Sequence, residues 1–240
     1  MLKNIKSLSI VIPAYKEEKR IKKTIEKIIN YLKSSGIKFE IIVVDDCSKD
    51  NTIKVVKSLN KKIIILKNKI NRGKGYSVKK GIMHAKKEYV LFSDADLSTP
   101  IEELKKFDAF VPEYDIIIAS RNMPDSNITK KQPSLRTLLG KIFPILVNLL
   151  VIRGIKDTQC GFKLFKTKIA KKIVKLQTID RFCFDAEILY IGKKKRLKIK
   201  EVGVRWENSE ESKLRIHKDI PNMLMSLFKI MFNNLKGRYN

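Results

Sequence analysis

Cysteine is scarce in this sequence, and acidic side chains are few beside the basic ones. The three cysteines, Cys47, Cys160 and Cys183, are odd in number and have no spacing typical of metal ligands. This pattern argues against a disulfide framework and against a zinc site. We therefore expect a reducing compartment.

Long hydrophobic runs are also missing. No uninterrupted apolar stretch reaches the about 20 residues that a membrane-spanning helix needs. Residues 1–12 contain a short apolar run but no signal-peptide core and no small-residue cleavage site, so they are better interpreted as a first strand. The sequence thus predicts neither a signal peptide nor a spanning helix.

The charge of the chain is strongly one-sided. Lysine and arginine outnumber aspartate and glutamate by 52 to 25, which gives a formal net charge of +27. This favours a polyanionic partner, namely nucleic acid, an anionic membrane face or a phosphate-bearing substrate, although a Lys- and Ile-rich genome could account for part of it. No nucleic acid is expected, because the usual binding motifs and an aromatic stacking ribbon are missing.

Strand-like and helix-like runs alternate through the first half of the chain, and 240 residues suffice for one domain with a sizeable core. The strand-like runs are residues 8–13, 40–46, 62–67, 88–93 and 116–120. The helix-like runs are residues 17–32, 51–59, 75–85 and 102–110. This order predicts an α/β fold with a Rossmann-like, mainly parallel sheet flanked by helices.

The second half is less regular. Residues 132–154 are first basic and then strongly apolar, and residues 157–165 are polar and contain glycine. Residues 185–192 have helical periodicity, residues 198–206 alternate like an edge strand, and residues 220–235 mix large apolar side chains with Lys and Asn.

Acidic residues follow two of the predicted strands. Asp45 and Asp46 end one strand, and Asp94 and Asp96 follow another. Ligands of open parallel sheets bind beyond the carboxyl ends of the strands, so we expect these carboxylates to converge on one crevice. Two carboxylates spaced as in Asp94-Ala95-Asp96 can hold Mg²⁺ or Mn²⁺ against a diphosphate. An ordinary polar loop is the alternative for this short motif.

Two further segments favour a nucleotide site. Asp45 could accept hydrogen bonds from a base or ribose, whereas Asp46, Ser48 and Asp50 suit turn and helix-cap chemistry as well as they suit ligand contact. The segment 71–75, Asn-Arg-Gly-Lys-Gly, opens a helix whose amides could meet phosphate, but it lacks the spacing of a Walker loop.

These motifs, in this order, resemble glycosyltransferase family 2 over roughly residues 7–216. The matching segments are 11–15 (VIPAY), 43–50 (VVDDCSKD), 71–75 and 94–96 (DAD). Within the family, the chain is most similar to the polyprenyl-phosphate sugar synthases, closest to the dolichyl-phosphate β-glucosyltransferases and near the dolichyl-phosphate mannose synthases. That similarity is carried by residues 120–121, 157–165 (DTQCGFKLF), 184–187 (FDAE), Trp206 and 212–214 (SKL).

The resemblance implies a GT-A type fold and roles for particular residues. The implied nucleotide-sugar contacts are Pro13, Tyr15, Glu17, Asp45, Lys74, Asp94, Ala95 and Asp96. The implied metal ligands are Asp94 and Asp96. The implied contacts of the acceptor phosphate are Arg121, Arg136, Gln159, Ser212 and Lys213; a solvated surface position is the alternative for Arg136. The residues implied in catalysis are Asp94, Asp96, Asp185 and Lys213.

The function implied is inverting, metal-dependent transfer of a hexose, with glucose from UDP-glucose favoured, onto polyprenyl or dolichyl phosphate. Mannosyl transfer from GDP-mannose, or transfer to a hydroxyl in polysaccharide or glycan synthesis, are the alternatives. A lipid phosphate is already an anion, so no strong general base is required. Asp185 and Glu187 lie where other family members keep a base, but a structural role is also open. Ser98 replaces an amide of the mannose branch, which puts a third protein ligand in doubt.

The organisation expected from the resemblance is a catalytic domain over residues 1–216, with a nucleotide-sugar half of about 1–120 and an acceptor half of about 121–216. Residues 217–240 would form an amphipathic C-terminal segment. Residues 138–152 and 220–235 suit helices lying at the cytoplasmic face of a membrane, near Lys130, Lys131, Lys141, Lys229 and Lys236. Core or dimer-forming helices are the alternative.

Overall fold

The computed structural model describes residues 2–59, 63–130, 143–208 and 216–240. The strands are β1 (Ser7–Ala14), β2 (Lys38–Asp45), β3 (Ile63–Lys67), β4 (Tyr89–Ser93), β5 (Ile116–Ser120), β6 (Asn127–Lys130), β7 (Phe162–Lys166), β8 (Ile199–Gly203) and β9 (Arg205–Glu207). The helices are α1 (Ile21–Ser34), α2 (Thr52–Leu59), α3 (Lys74–His84), α4 (Leu104–Asp108), α5 (residues 143–150), α6 (Thr167–Leu176), α7 (Phe184–Lys194) and α8 (Ile216–Leu235).

The predicted Rossmann-like sheet is confirmed. Seven strands pair in the order β3-β2-β1-β4-β7-β5-β8, while β6 and β9 form a separate parallel pair. Within the large sheet, β7 alone runs antiparallel to its neighbours β4 and β5. The parallel register of β1 with β2 and β4 brings the carboxyl ends of these strands to one edge.

The strand β7 and the helix α6 are missing from the sequence-based interpretation, which left residues 157–165 as a polar stretch. Lys163 interrupts the apolar pattern of β7, yet this lysine is fully buried in the sheet. The predicted strand 198–206 is wrong in extent. The edge strand β8 ends at Gly203, and β9 begins at Arg205 in the smaller sheet. The predicted helix 102–110 is a 3₁₀ turn, Ile101–Glu103, followed by the short α4.

Alternation along the central strands divides the core between the two faces of the sheet. Ile10 and Ile12 of β1 point to the face covered by α1, α2 and α4, whereas Val11 points to the face covered by α3, α6, α7 and α8. All three side chains are fully buried. Because helices cover both faces of the sheet, the sequences of β1, β2 and β4 are continuous apolar runs.

The helix α8 has two dissimilar faces. Met223, Leu227 and Ile230 pack into the core, whereas Phe228 and Phe232 on the other face are each 56% exposed. Across the described ranges, no helix combines the length and the hydrophobicity needed to cross a bilayer. Residues 131–142, which include Lys131, Lys141 and the first five residues of the predicted segment 138–152, lie outside the described part of the chain.

Candidate active site

A cleft of about 470 Å³ lies at the carboxyl edge of the sheet. The turn after β1, the end of β2, the start of α3 and the loop after β4 all contribute to it. The lining residues are Pro13, Ala14, Tyr15, Lys16, Glu17, Arg20, Asp46, Asn71, Gly73, Lys74, Ser77, Asp94, Ala95, Asp96, Arg181, Phe182 and Asp219. The expected convergence of strand-end side chains is therefore found for Asp46, Asp94 and Asp96.

The turn after β1 is held by its own backbone amides. The amide of Lys16 donates to Ser48 Oγ at 2.9 Å, and the amide of Glu17 donates to Thr52 Oγ1 at 2.8 Å. Lys16 has a φ of 56°, a left-handed conformation that non-glycine residues rarely adopt. These bonds fix the turn that carries Pro13 and Tyr15 into the cleft, and the carboxylate of Glu17 pairs with Arg20.

The two carboxylates after β4 lie together in the cleft. Asp96 Oδ1 accepts a hydrogen bond from the amide of Ser98 at 3.0 Å, and Asp94 Oδ1 lies 2.7 Å from Lys74 Nζ. Burial raises the pKa of Asp96, and the neighbouring charge of Asp94 raises it further. A bound cation would remove that electrostatic cost, so this pair suits a positively charged ligand.

The side chain of Lys74 enters the cleft from the first turn of α3. It is 23% exposed, and its ammonium lies 5.2 Å from the centre of the Phe92 ring. Desolvation alone would lower the pKa of Lys74, but the charges of Asp94, Asp185 and Asp96 outweigh it and leave the pKa raised. Lys74 therefore carries a full positive charge beside the two carboxylates at neutral pH.

Asp46 organises the loop before α3. Its carboxylate accepts hydrogen bonds from the amides of Arg72 at 2.9 Å and Gly73 at 2.7 Å, and from Asn68 Nδ2 at 2.8 Å. The amides of the segment 71–75 were predicted to meet phosphate. Two of them, those of Arg72 and Gly73, instead donate to the Asp46 carboxylate. Asp45 accepts from the amide of Ser48 instead and is not among the lining residues.

One wall of the cleft was not foreseen. Arg181 and Phe182 come from the loop before α7, and Asp219 comes from the first turn of α8. These three residues are far from the strand ends in sequence, and none belongs to a recognisable motif. Only the packing of α7 and α8 against the sheet could have revealed them.

The motif order and the geometry of this cleft agree with one protein family. The family model described as Glycosyl transferase family 2 matches residues 9–174, more than half of the chain. The chain is a family 2 glycosyltransferase. Its matched segment contains most of β1 and all of β2, α3, β4 and β7, and it includes every lining residue of the cleft except Arg181, Phe182 and Asp219.

Named relatives resemble this glycosyltransferase along most of its length. The chain is 37% identical over 246 residues to the dolichyl-phosphate beta-glucosyltransferase of Dictyostelium discoideum, with 96% of this chain and 75% of the relative covered. It is 34% identical over 226 residues to the human dolichyl-phosphate beta-glucosyltransferase, with 87% of this chain and 70% of the relative covered.

Solved structures share the fold at much lower identity. The glucosyl-3-phosphoglycerate synthase of Mycobacterium tuberculosis, in complex with Mn²⁺, UDP and glucosyl-3-phosphoglycerate, superimposes with a TM-score of 0.70. It is 15% identical, and 95% of this chain and 79% of that chain are covered. The mannosyl-3-phosphoglycerate synthase of Rubrobacter xylanophilus superimposes with a TM-score of 0.64 at 16% identity, covering 96% of this chain and 74% of that one.

Asp185 and Glu187, the two candidates for a general base, both bind other residues of this glycosyltransferase. Asp185 is buried and lies 2.5 Å from Lys163 Nζ, and burial raises its pKa against the opposing charge of Lys163. Glu187 is fully buried and accepts hydrogen bonds from Thr178, Ile179 and Tyr239. Neither is among the residues that line the cleft.

The acceptor-phosphate candidates divide into two groups. Arg121 forms a bidentate pair with the buried carboxylate of Asp157, with Nε to Oδ2 at 2.7 Å and Nη2 to Oδ1 at 2.9 Å. Gln159 donates to Thr158 Oγ1 at 3.1 Å, and neither Arg121 nor Gln159 lines the cleft. Arg136, Ser212 and Lys213 fall in the segments 131–142 and 209–215, outside the described residues.

The two carboxylates of Asp94 and Asp96 in the cleft fit a hard divalent cation. In the part of the chain that the structure describes, no group of three or more His, Cys, Asp or Glu side chains is placed to hold a metal. Asp94 and Asp96 would hold the cation through carboxylate oxygens, which are the ligands that Mg²⁺ and Mn²⁺ prefer.

Proposed function

We propose that this glycosyltransferase moves glucose from UDP-glucose onto a polyprenyl or dolichyl phosphate, with inversion at the anomeric carbon. The observation that carries the proposal is the shared cleft of Asp94, Asp96 and Lys74 in a chain 37% identical to a dolichyl-phosphate beta-glucosyltransferase. The proposed donor contacts are Pro13, Tyr15, Glu17, Lys74, Asp94, Ala95 and Asp96 in the cleft, with Asp45 just behind it.

Opposite charges in the cleft suit a nucleotide diphosphate. Asp94 and Asp96 would hold Mg²⁺ or Mn²⁺, which when bound neutralises negative charge on the departing diphosphate. Lys74 lies 2.7 Å from Asp94, so its ammonium can contribute a second positive charge to the same group. Both contributions grow as charge accumulates on the leaving group, which is the condition for lowering the barrier.

Asp185 and Glu187 do not line the cleft, which favours an acceptor that is already an anion. A hydroxyl acceptor needs a base within hydrogen-bond reach of its proton. Asp185 is bound to Lys163, and Glu187 is enclosed by hydrogen bonds, so both are committed to structural partners. A phosphate acceptor needs no such base, and Arg121 with Gln159, Arg136, Ser212 and Lys213 are the proposed residues on its side.

The exposed face of α8 suits peripheral attachment to a membrane, where a polyprenyl phosphate would reside. Met225, Phe228, Phe232 and Leu235 on this helix are between 56% and 83% exposed. Lys229 and Lys236 lie on the same helix or directly after it. Apolar side chains flanked by lysine are typical of helices that lie at an anionic interface.

A radiolabel transfer assay tests the proposal. The full chain is incubated with Mn²⁺ or Mg²⁺, labelled UDP-glucose or GDP-mannose, and detergent-dispersed dolichyl phosphate. We expect acid-labile label in the chloroform phase from UDP-glucose, and none when dolichyl phosphate is omitted. Label transferred from GDP-mannose and not from UDP-glucose would show that GDP-mannose is the donor. Label found only in water-soluble glycan would show that the acceptor is a hydroxyl and not a lipid phosphate.

A further inference from the structure

Residues 178–182, hereafter the cleft-wall segment, carry Arg181 and Phe182 into the cleft but have no regular secondary structure. A segment of this kind holds its shape only through the groups that satisfy its backbone. The contacts at its beginning and in its middle therefore bear on where Arg181 and Phe182 lie, together with the hydrogen bonds from Arg181 to Asn71 at 3.4 Å.

The beginning of the cleft-wall segment is anchored to one buried carboxylate. Glu187 accepts hydrogen bonds from the amide of Thr178 at 3.0 Å, from Thr178 Oγ1 at 2.7 Å and from the amide of Ile179 at 2.8 Å. Glu187 belongs to α7 and is fully buried. A buried carboxylate that accepts several hydrogen bonds fixes its donors firmly, because each lost donor leaves charge unsatisfied.

The last donor to this carboxylate comes from the far end of the chain. The hydroxyl of Tyr239 donates to Glu187 Oε1 at 2.7 Å, and its ring is fully buried against Tyr190. Asn233 of α8 bridges the same group, donating to Thr178 Oγ1 at 2.9 Å and to the Tyr239 hydroxyl at 3.2 Å. The C-terminal residues thus reach the start of the cleft-wall segment through side-chain hydrogen bonds.

The middle of the cleft-wall segment rests on the start of α3. The carbonyl of Asp180 accepts from the amide of Tyr76 at 2.8 Å, and the carboxylate of Asp180 pairs with Arg72 at 2.8 Å. A Cβ atom on Gly73 would lie 2.7 Å from both Arg181 Cγ and the Asp180 carbonyl oxygen. This close fit means that a shift of Thr178 would be passed on to Arg181 and to the residue before Lys74.

We propose that Tyr239 is a positioning residue for the nucleotide site. Through its hydrogen bond to Glu187 it holds the cleft-wall segment against α3 and so places Arg181 and Phe182 for the donor nucleotide. The inference rests on the proposed function only in taking this cleft as the nucleotide site. It adds a residue that does not line the cleft and that lies outside the segment matched by the family model.

Tyr239→Phe tests this with little change in packing, since the ring stays and one hydroxyl is lost. Tyr190→Phe is the matched control, because Tyr190 packs against the same ring 5.8 Å away without a hydrogen bond to Glu187 among the described residues. Isothermal titration of the full chain with UDP and with GDP, in the presence of Mn²⁺, gives the Kd. We expect Tyr239→Phe to raise the Kd by about fivefold or more, and Tyr190→Phe to change it less than twofold.

A destabilised variant elsewhere separates positioning from general loss of stability. Ile28→Val shortens a buried side chain of α1, on the opposite face of the sheet. We expect it to lower the Tm while leaving the Kd of the nucleotide unchanged. A Tyr239→Phe protein with a lowered Tm but the wild-type Kd would overturn the inference and leave the proposed function intact.

Failure of the function itself has a different signature. If the wild-type protein binds neither UDP nor GDP with Mn²⁺ or Mg²⁺, the cleft is not a nucleotide site, and both the proposed function and this inference are wrong. If GDP binds and UDP does not, the donor is a GDP-sugar. The Kd of Tyr239→Phe is then compared with that of wild type by titration with GDP.

Discussion

Lys74 Nζ lies 2.7 Å from Asp94 Oδ1, so a lysine of α3 occupies one of the two carboxylates that follow β4. A divalent cation that binds Asp94 must share this carboxylate with the ammonium or displace it. The same side chain would then be available to the diphosphate. In the proposed reaction Lys74 would thus both compete with the cation for Asp94 and interact with the leaving group.

Replacement of Lys74 by methionine should separate these two effects. Without nucleotide, we expect Lys74→Met to bind Mn²⁺ more tightly than wild type, because a competing positive charge has been removed. Turnover should fall by roughly tenfold to a hundredfold, because the diphosphate loses one positive charge. Paramagnetic resonance of free Mn²⁺ and the transfer assay measure the two quantities. Weaker Mn²⁺ binding in the variant would contradict this competition.

Asp96→Asn should abolish transfer without harming the fold. Burial and the charge of Asp94 raise the pKa of Asp96, so the ionised carboxylate destabilises the native state at neutral pH. The amide removes that cost, and the Tm should stay the same or rise. We expect turnover to fall by at least about a hundredfold, whereas Asp125→Asn, at an exposed loop carboxylate, should be active. Near-normal activity of Asp96→Asn would remove this residue from the metal site.

Gly161 keeps space for Asp94. A Cβ atom at Gly161 would lie 2.0 Å from Asp94 Oδ2, while the Gly161 carbonyl accepts from the Asp94 amide at 3.1 Å. Gly161→Ala should therefore move the carboxylate and lower turnover steeply. Gly203→Ala is matched to it, since its Cβ would lie 2.1 Å from a carboxylate oxygen of Asp125, a residue that does not line the cleft. Equal losses of activity in both variants would show that the effect is on folding alone.

The pair between Arg121 and Asp157 should stabilise the protein in a pH-dependent way. Burial would raise the pKa of Asp157, but the Arg121 guanidinium outweighs it and holds the pKa below its usual value. The stabilisation is fully present above the unfolded pKa of about 3.9 and disappears as the pH falls through the lower native pKa.

Denaturant unfolding of Asp157→Asn measures this contribution. At pH 7 we expect a loss of about 3 kcal/mol, because one partner of a largely buried pair is removed. The difference from wild type should begin to shrink below about pH 4, where Asp157 of the unfolded wild-type chain takes up a proton, and should be lost once the pH is below the lower native pKa. Glu207→Gln, in an exposed pair with Arg205 at 3.8 Å, should cost less than about 1 kcal/mol. A pH-independent loss in Asp157→Asn would contradict the role of charge.

The outer face of α8 should decide membrane attachment. Phe228 and Phe232 are each 56% exposed, so replacing both by serine should leave the Tm nearly unchanged. Flotation with anionic vesicles at low salt should fall by about tenfold or more, because two aromatic side chains no longer enter the interface. Ile128→Ser, at an exposed apolar position of β6, is the control. Wild-type protein left wholly in the soluble fraction would count against peripheral attachment.

The parallel strands and the strand-end carboxylates could be predicted because each depends on local pattern. A continuous apolar run identifies β1 and β4, and the edge shared by parallel strands then brings Asp94 near Pro13 and Tyr15. These inferences need only the order of the elements and the rule that ligands bind at the carboxyl ends.

The remaining features depend on contacts between distant parts of the chain. Lys163 makes β7 look polar, and its burial is compensated by the Asp185 carboxylate, 22 residues later, and by the Cys160 carbonyl, to both of which its ammonium donates. Arg181 lines the cleft from a loop whose Ile179 amide donates to Glu187, eight residues later. Asp46, rather than Asp45, faces the cleft because its carboxylate captures the amides of Arg72 and Gly73. No periodicity or motif in the sequence specifies these pairings.

The antiparallel strand β7 has a consequence for how the polypeptide can be divided. The strands β4 and β5 both belong to the first 120 residues, but they do not pair with each other because β7 lies between them. A fragment truncated after Ser120 would expose both of their inner edges and would lack Gly161 beside Asp94. The two proposed halves of the chain, residues 1–120 and 121–216, therefore share one sheet, and a fragment of either would lack strands that pair with its own.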